Sequence, residues 1–331
     1  MKIIYKCVVA LSCVFLWTGC NDEWTDEQYE NYLSFVNPGV TQVYLKYDKM
    51  NGEKEYNIPI QISGSTQPSR DVNVSVALDP DTVADYNLNN FRSRTDLYYK
   101  QLEPQYYTFD KMSTVVKSGE SEAFLKVNFS FLGLDNYDNY FLALTIDPSS
   151  DLRPNPRKHY KKTLMHINLF NDFSGKYNIS SELIEYNEDG SERSEKIKVE
   201  TRNSWVVDES TIFFYAGFVD EQALDRKDYR VFIKFIPSGE GAQDGTIEFI
   251  SENPSIKFEY DPAKCSYSIA ETMDPLKPYL KRRYVTANVS YTYHDITNPD
   301  RLIKYKYEGP MIMERVLNIL KPEEDQIVWG D

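Results

Sequence analysis

The chain has 331 residues, 51 acidic side chains against 37 basic ones, and a formal charge of −14 at pH 7. So acidic a balance excludes a nucleic-acid partner and electrostatic attraction to anionic lipid. The length allows two domains, each able to bury a core of its own.

The first element is an address. Lys2 and Lys6 precede an apolar run from Val8 to Leu16, and Thr18-Gly19-Cys20 leads straight into Asn21-Asp22-Glu23. A basic start, a short apolar stretch and small residues before a cleavage point predict a signal peptide over residues 1–19, too short to span a bilayer. The cysteine after Thr-Gly predicts cleavage before Cys20 and acylation of its thiol. Several acyl chains would then hold a polar body on a membrane. Trp17 stands where such signals usually carry leucine, and Cys13 is the poorer acylation candidate because it would truncate the apolar run. With Cys7 and Cys13 removed and Cys20 acylated, Cys265 is alone, so stability has to come from packed cores rather than disulfides. Residues 20–31 then read as the lipidated cysteine and an acidic tether. Asp22, Glu23, Asp26, Glu27 and Glu30 have almost nothing to bury, which predicts a solvated, extended segment.

From residue 32 to 171 apolar residues recur at every second position in short segments. Val43, Leu45 and Tyr47 precede Asn51-Gly52, which reads as a hairpin turn into Tyr56, Ile58, Ile60 and Ile62. Val72 to Leu78, Leu125 to Phe131, Leu142 to Ile146 and Met165 to Leu169 continue the pattern. About seven half-buried strands predict an immunoglobulin-like β-sandwich. Between Pro80 and Lys100 the period breaks, and Thr82 to Tyr86 reads as a capped helical turn. Asp135-Asn136-Tyr137-Asp138-Asn139 reads as a solvated turn; it lacks the distal bidentate glutamate of a calcium loop.

A second domain, residues 173–331, opens at Phe173-Ser174-Gly175-Lys176-Tyr177. Tyr177 to Tyr186, Asn187 to Ser191, then Ile197 and Val199 form the clearest hairpin, with Asp189-Gly190 at its turn. Further strand signals follow at Ile212–Tyr215, Val231–Ile236, Gly245–Ile250, Ile256–Tyr260, Tyr267–Ile269, Tyr284–Tyr293 and Leu302–Tyr307. Around eight consecutive antiparallel strands without crossover helices predict an up-and-down β-barrel. The fold class is therefore all-β.

No catalytic motif, metal site or cofactor site is predicted. His159, His166 and His294 are dispersed and no cysteine pair is left to complete a zinc set. In its strand His166 opposes Met165, Ile167 and Leu169, as a surface or edge residue does. The nucleophile and metalloprotease motifs are absent. The glycines from Gly239 to Gly245 lack the strand-to-helix setting of a phosphate loop.

What stands out is the aromatic fraction of 14%, with 26 tyrosines. Rings stack on the C–H faces of sugars, and they also pack β cores. Tyr291 and Tyr293 share parity with Val285 and Val289, and Tyr305 and Tyr307 with Ile303, so all four face inward, as core or as cavity lining. Trp205, read at a loop-to-strand junction, and Trp329 near the terminus are the candidates for an exposed platform. Trp205, Trp329, Tyr291 and Tyr293 are the candidate carbohydrate-binding residues.

Several segments resemble known lipoproteins. The acidic residues after Cys20 resemble the export signal of surface lipoproteins in Bacteroides-type bacteria. Val72 to Leu78 with Asp79, Val83-Ala84-Asp85-Tyr86-Asn87, Leu102-Glu103-Pro104-Gln105-Tyr106, Ser118-Gly119-Glu120 and Tyr140 to Leu144 resemble, in that order, the N-terminal sandwich domain of lipoproteins encoded beside starch-utilisation-type glycan importers. Glu103 departs from that pattern, in which Leu and Pro are adjacent. Gly175-Lys176-Tyr177, the strand count and Tyr307-Glu308-Gly309 with Glu314-Arg315 resemble the lipocalin-like C-terminal domains paired with it. The resemblance implies a non-enzymatic protein of the outer membrane, lipid-anchored and facing the cell exterior. Its expected partners are a glycan ligand and an outer-membrane transporter complex. The alternatives are a scaffolding lipoprotein and, further off, a glycoside hydrolase with an unrecognised carboxylate pair.

Overall fold

The computed structural model describes residues 27, 29–48, 52–157, 159–322 and 325–329. The signal peptide, Cys20 and most of the tether lie outside the described residues. Among the described ones, no helix is long and apolar enough to cross a membrane.

Eleven elements build the first half: β1 (Tyr32–Phe35), β2 (Gly39–Lys46), β3 (Lys54–Ser63), β4 (Val72–Leu78), α1 (Pro80–Phe91), β5 (Lys100–Gln101), β6 (Tyr107–Thr108), β7 (Ser113–Val116), β8 (Glu122–Phe129), β9 (Tyr140–Ile146) and β10 (Lys162–Phe170). One sheet has the order β1-β3-β8-β6. The other has β2-β10-β9-β4-β7, with β5 parallel to β9. The first edge strand is split between the sheets, and its second piece, β2, runs parallel to β10. This is an immunoglobulin-like sandwich. Alternation does the sorting: Ile58, Ile60 and Ile62 point inward from β3, and Val72, Val74 and Val76 from β4, into one core.

Asn51-Gly52 does not join a hairpin as the sequence predicts: β2 and β3, the strands on either side, belong to opposite sheets. The helical turn expected at Thr82–Tyr86 is a full α1 of 12 residues, capped by Asp79, whose side chain accepts from the Thr82 amide. Beneath α1, Val83, Phe141, Ala143 and Leu164 form a small second core against Tyr86 and Tyr99. That layer partly covers His166, which is half-buried and edge-on to the Tyr99 and Phe141 rings. The tether also departs from expectation at one point. The Glu27 carboxylate accepts from the amides and hydroxyls of Ser65 and Thr66, so the chain is fixed to the sandwich at residue 27.

The second half comprises β11 (Gly175–Ile179), β12 (Glu182–Tyr186), β13 (Glu192–Lys198), β14 (Thr201–Val206), β15 (Thr211–Tyr215), β16 (Arg230–Pro237), β17 (Asp244–Ser251), β18 (Glu259–Tyr260), β19 (Ser266–Met273), β20 (Leu280–Asp295) and β21 (Ile303–Asn318). Eight strands close a ring in the order β11-β14-β15-β16-β17-β19-β20-β21 and back to β11. β12 and β13 prolong β11 and β14 past a break at Ser180-Ser181, where the chain crosses Gly309. A Cβ on Gly309, at φ +148, would lie 1.7 Å from the Ser181 hydroxyl oxygen. The barrel is closed, antiparallel and lipocalin-like. Tyr177, Tyr229, Tyr291, Tyr293, Tyr305 and Tyr307 fill its interior together with Phe214, Phe235 and Phe249. Tyr291 stacks on Tyr307 at 5.4 Å between ring centroids, and Tyr293 on Tyr305 at 5.6 Å.

A candidate saccharide cleft between sandwich and barrel

Alternation along β15 sends Ile212 and Phe214 into the barrel and Phe213 and Tyr215 out of it, yet both outward rings are buried. Phe213 packs among Trp205, Phe232 and the Arg230 guanidinium, and Tyr215 shares a cleft with Tyr137 of the sandwich. Val206 at the end of β14 packs into the sandwich core itself. The residues from Asp135 to Asn139, read from sequence as a solvated turn, are instead the wedge between the halves. Asp135 receives the Arg230 guanidinium at 2.7 and 3.0 Å, and the Asn136 amide donates to the Val206 carbonyl at 2.9 Å. Three cations, Arg226, Lys227 and Arg230, lie 4.9, 5.1 and 5.8 Å from the centre of the Tyr137 ring. Asp96 accepts from both Arg94 and Arg226, and these guanidinium donors hold its carboxyl well below the usual carboxylate range.

Beside this wedge a cleft of about 420 Å³ opens between the halves. Phe91, at the end of α1, Leu97 and Tyr99 form the sandwich wall with Tyr137 and Asn139; Trp205, Tyr215, Asn203 and Glu221 form the barrel wall. Tyr99 is held rigid from behind, stacked on Phe141 at 4.3 Å. Burial pushes the phenols of Tyr137 and Tyr215 upward, so both stay protonated and keep their donors. Trp205 is half-buried, with one ring face against Phe213 at 5.2 Å and an interplanar angle of 20°. Asn203 donates to Glu221 at 3.0 Å, which fixes the amide two residues before the tryptophan. The loop that carries Glu221 is seated by Gly217, at φ +61, where a Cβ would lie 1.9 Å from the Tyr293 hydroxyl.

Of the four residues singled out from sequence, the structure brings only Trp205 to this cleft. Its place is corrected: it lies within β14, paired to Phe213 of β15, and not at a loop junction. Tyr291 and Tyr293 are 3% and 1% exposed and belong to the barrel core, where the Tyr291 hydroxyl accepts from the Gly217 amide at 3.2 Å. Trp329 is elsewhere. The terminal segment runs back along β21, with Val328 donating to the Val316 carbonyl, and lays Trp329 flat on Tyr44 of β2 at 3.9 Å and edge-on to Phe170. One face of that ring is thus taken by the sandwich. Tyr137, Asn139, Tyr99 and Glu221 were missed from sequence. The one available signal was the Asp135–Asn139 run, polar yet holding a tyrosine. Among the described residues no group of three or more His, Cys, Asp or Glu side chains could hold a metal ion.

Residues 24–150 match the sequence model of a domain of unknown function, DUF4973, and residues 161–312 match the model of a C-terminal domain. Comparison with curated proteins gives no match. Among solved structures, a Bacteroides ovatus protein of unknown function is 31% identical, with 91% of this chain and 100% of that one covered and a TM-score of 0.80. A multidomain B. ovatus protein that includes DUF1735 is 32% identical over 90% and 100%, with a TM-score of 0.78. An auxiliary nutrient binding protein of Bacteroides thetaiotaomicron is 32% identical over 88% and 96%, with a TM-score of 0.77. The chain belongs to the family of these Bacteroides proteins.

Proposed function

Taking the chain as a member of that family, we propose that it is a cell-surface lipoprotein that binds oligo- or polysaccharide between its two β halves and hands it to a neighbouring outer-membrane transporter. The observation that carries this reading is the Trp205 ring, backed by Phe213 and opening on a cleft with Tyr137 and Tyr99 opposite and side-chain amides between. An aromatic wall with a few placed polar groups is how concave sites bind sugars. Similarity to an auxiliary nutrient binding protein supports the same reading. So does the lining's chemistry: its one carboxylate is Glu221, whereas glycoside hydrolysis uses two across the scissile bond. That chemistry favours a binder over a hydrolase.

The test is a pulldown on soluble and insoluble polysaccharides with the chain beginning at Asn21, followed by titration of the captured glycan against Trp205→Ala. Retained affinity in a folded Trp205→Ala protein would remove the cleft from the function. The anchor has its own test. Cys20→Ala abolishes detergent-phase partitioning, and equal recovery of variant and parent would end the lipoprotein reading.

A scaffolding role is the second reading, and one observation favours it. Leu276 and Leu320 are 89% and 78% exposed, and a hydrogen bond from the Ile319 amide to the Tyr279 carbonyl gathers them with two further apolar residues at one end of the barrel.

A further inference from the structure

We infer that the cleft selects uncharged saccharides and rejects uronate and sulfated ones, an inference that rests on the saccharide-binding reading above. The guanidinium groups at the cleft that could hold an anion are already engaged. Arg226, the strongest cation on its wall, is consumed: it is buried, its guanidinium donates to the Asp96 carboxylate at 3.2 Å, to the Asp96 carbonyl at 2.9 Å and to the Ala223 carbonyl at 2.9 Å. Arg94 beside it is forked onto the same carboxylate at 2.9 and 2.8 Å. Lys100, at the sandwich side, is paired to Asp138 at 2.6 Å. No guanidinium is left to fork an incoming carboxylate or sulfate, which is how such groups are normally held.

What is left over has a different character. Glu221 gives one carboxylate oxygen to Asn203 and keeps the other. Among the described residues the Asn203 amide keeps its oxygen, and the side-chain amides of Asn139 and Gln222 have no hydrogen-bond partner. These groups supply donors and acceptors in comparable number, which matches hydroxyls, since each hydroxyl both donates and accepts. Lys176, exposed at the rim, is a cation of the lining with no ion pair among the described residues, and the lining also carries the Glu221 carboxylate. An anionic sugar entering the cleft would face the Glu221 carboxylate with no guanidinium to fork it, leaving only the ammonium of Lys176 at the rim to offset the hydration it loses. The volume of 420 Å³ lies within the range of pockets that enclose a small ligand, so a short stretch of a longer glycan is what the cleft takes.

The experiment uses the full-length protein in detergent micelles and titrates two panels by calorimetry. The neutral panel is maltoheptaose, mannohexaose, xylohexaose and a fructan oligosaccharide; the acidic panel is oligogalacturonate and chondroitin sulfate hexasaccharide. The expected result is that binding is confined to neutral members, with acidic ones at least about tenfold weaker, and that Glu221→Gln raises affinity for the acidic panel by about tenfold. An acidic oligosaccharide that binds more tightly than every neutral one, and loses its affinity in Trp205→Ala, overturns this inference and leaves the saccharide-binding reading standing. Silence from both panels overturns both. Binding that survives Trp205→Ala unchanged places the sugar elsewhere and overturns the assignment to the cleft. Circular dichroism of Glu221→Gln and Trp205→Ala separates these outcomes from misfolding.

Discussion

The barrel interior and the cleft are built from the same residue type and put it to opposite use. Inside the barrel Tyr291, Tyr293, Tyr305 and Tyr307 are paired by the register of β20 and β21, stacked face to face and buried. Some strands away, Trp205 packs on Phe213 and tilts against Tyr215, Tyr137 lies under cations and Tyr99 stacks with Phe141 and Phe91, yet all three also line the cleft. The difference is that these rings keep part of their surface on open space. A high aromatic fraction is therefore no index of sugar binding by itself; packed rings that also line a cleft are the better sign.

The largest expected effect tests the closed side of this comparison. Tyr293→Ala should cost about 3–5 kcal/mol of stability, the range for truncating a large buried ring, and change glycan affinity less than Trp205→Ala does in whatever fraction stays folded. Urea unfolding reads the first quantity and titration the second. A Tyr293→Ala protein of parental stability would mean that the barrel is hollow.

The next effect concerns the support behind Tyr99. Burial lowers the His166 pKa to about 4 from an ordinary value near 6.5. The unfolded chain binds this proton below about pH 6.5 and the folded chain does so only near pH 4, so stability is full above 6.5 and falls as the pH drops through that window. The total is up to about 3 kcal/mol by proton linkage. His166→Gln keeps the side chain polar without the titration and should flatten the melting temperature between pH 4 and 6.5. A profile identical to that of the parent would show that His166 is open to water.

Trp205→Ala belongs to the open side. Taking base–aromatic stacking as the nearest analogue, it should weaken glycan binding by about 1–3 kcal/mol. Its stability cost should be smaller than that of Tyr293→Ala, because the stack on Phe213 contributes only about 0.5–1.5 kcal/mol beyond area burial. A reversed order, with stability hit harder than affinity, would move Trp205 into the structural class. The smallest effect is expected for Asp135→Asn. Its partner Arg230 keeps Glu252 at 2.7 Å, and the Asp135 side chain is 46% exposed, so the loss should stay under about 1 kcal/mol and shrink further in high salt.

Much of the fold was legible because alternation survives wherever a strand has one wet face. Val72, Val74 and Val76 announced β4, and parity alone sent Tyr291 and Tyr293 inward. The period fails where a second body covers the outer face. In β14 Ser204 and Val206 are buried while Trp205 between them is half-buried, so the strand carries no clean alternation and reads as a junction. In β15 all five residues from Thr211 to Tyr215 are buried, three toward one side and two toward the other. The Asp135–Asn139 wedge failed for the same reason. Its polar residues are satisfied across the junction by Arg230 and the Val206 carbonyl, partners about 70 to 95 positions away that no local rule anticipates. The cleft belongs to neither half, so neither half's sequence pattern contained it.

The register that closes the barrel has a bearing on how the molecule is made. Tyr177 of β11 lies against Met313 of β21, so the ring has no continuous wall until almost the last strand has emerged, whereas the sandwich holds all its strands by Phe170. Assembly should accordingly run in two stages: an early sandwich, then a slow closure governed by contacts of very long sequence separation. In the interval β11 and β20 present bare edges, the template along which chains pair with one another, and the 16-residue β21 is the strand that removes both edges at once. A nascent chain that stops short of β21 would carry a finished sandwich and a sticky, open sheet.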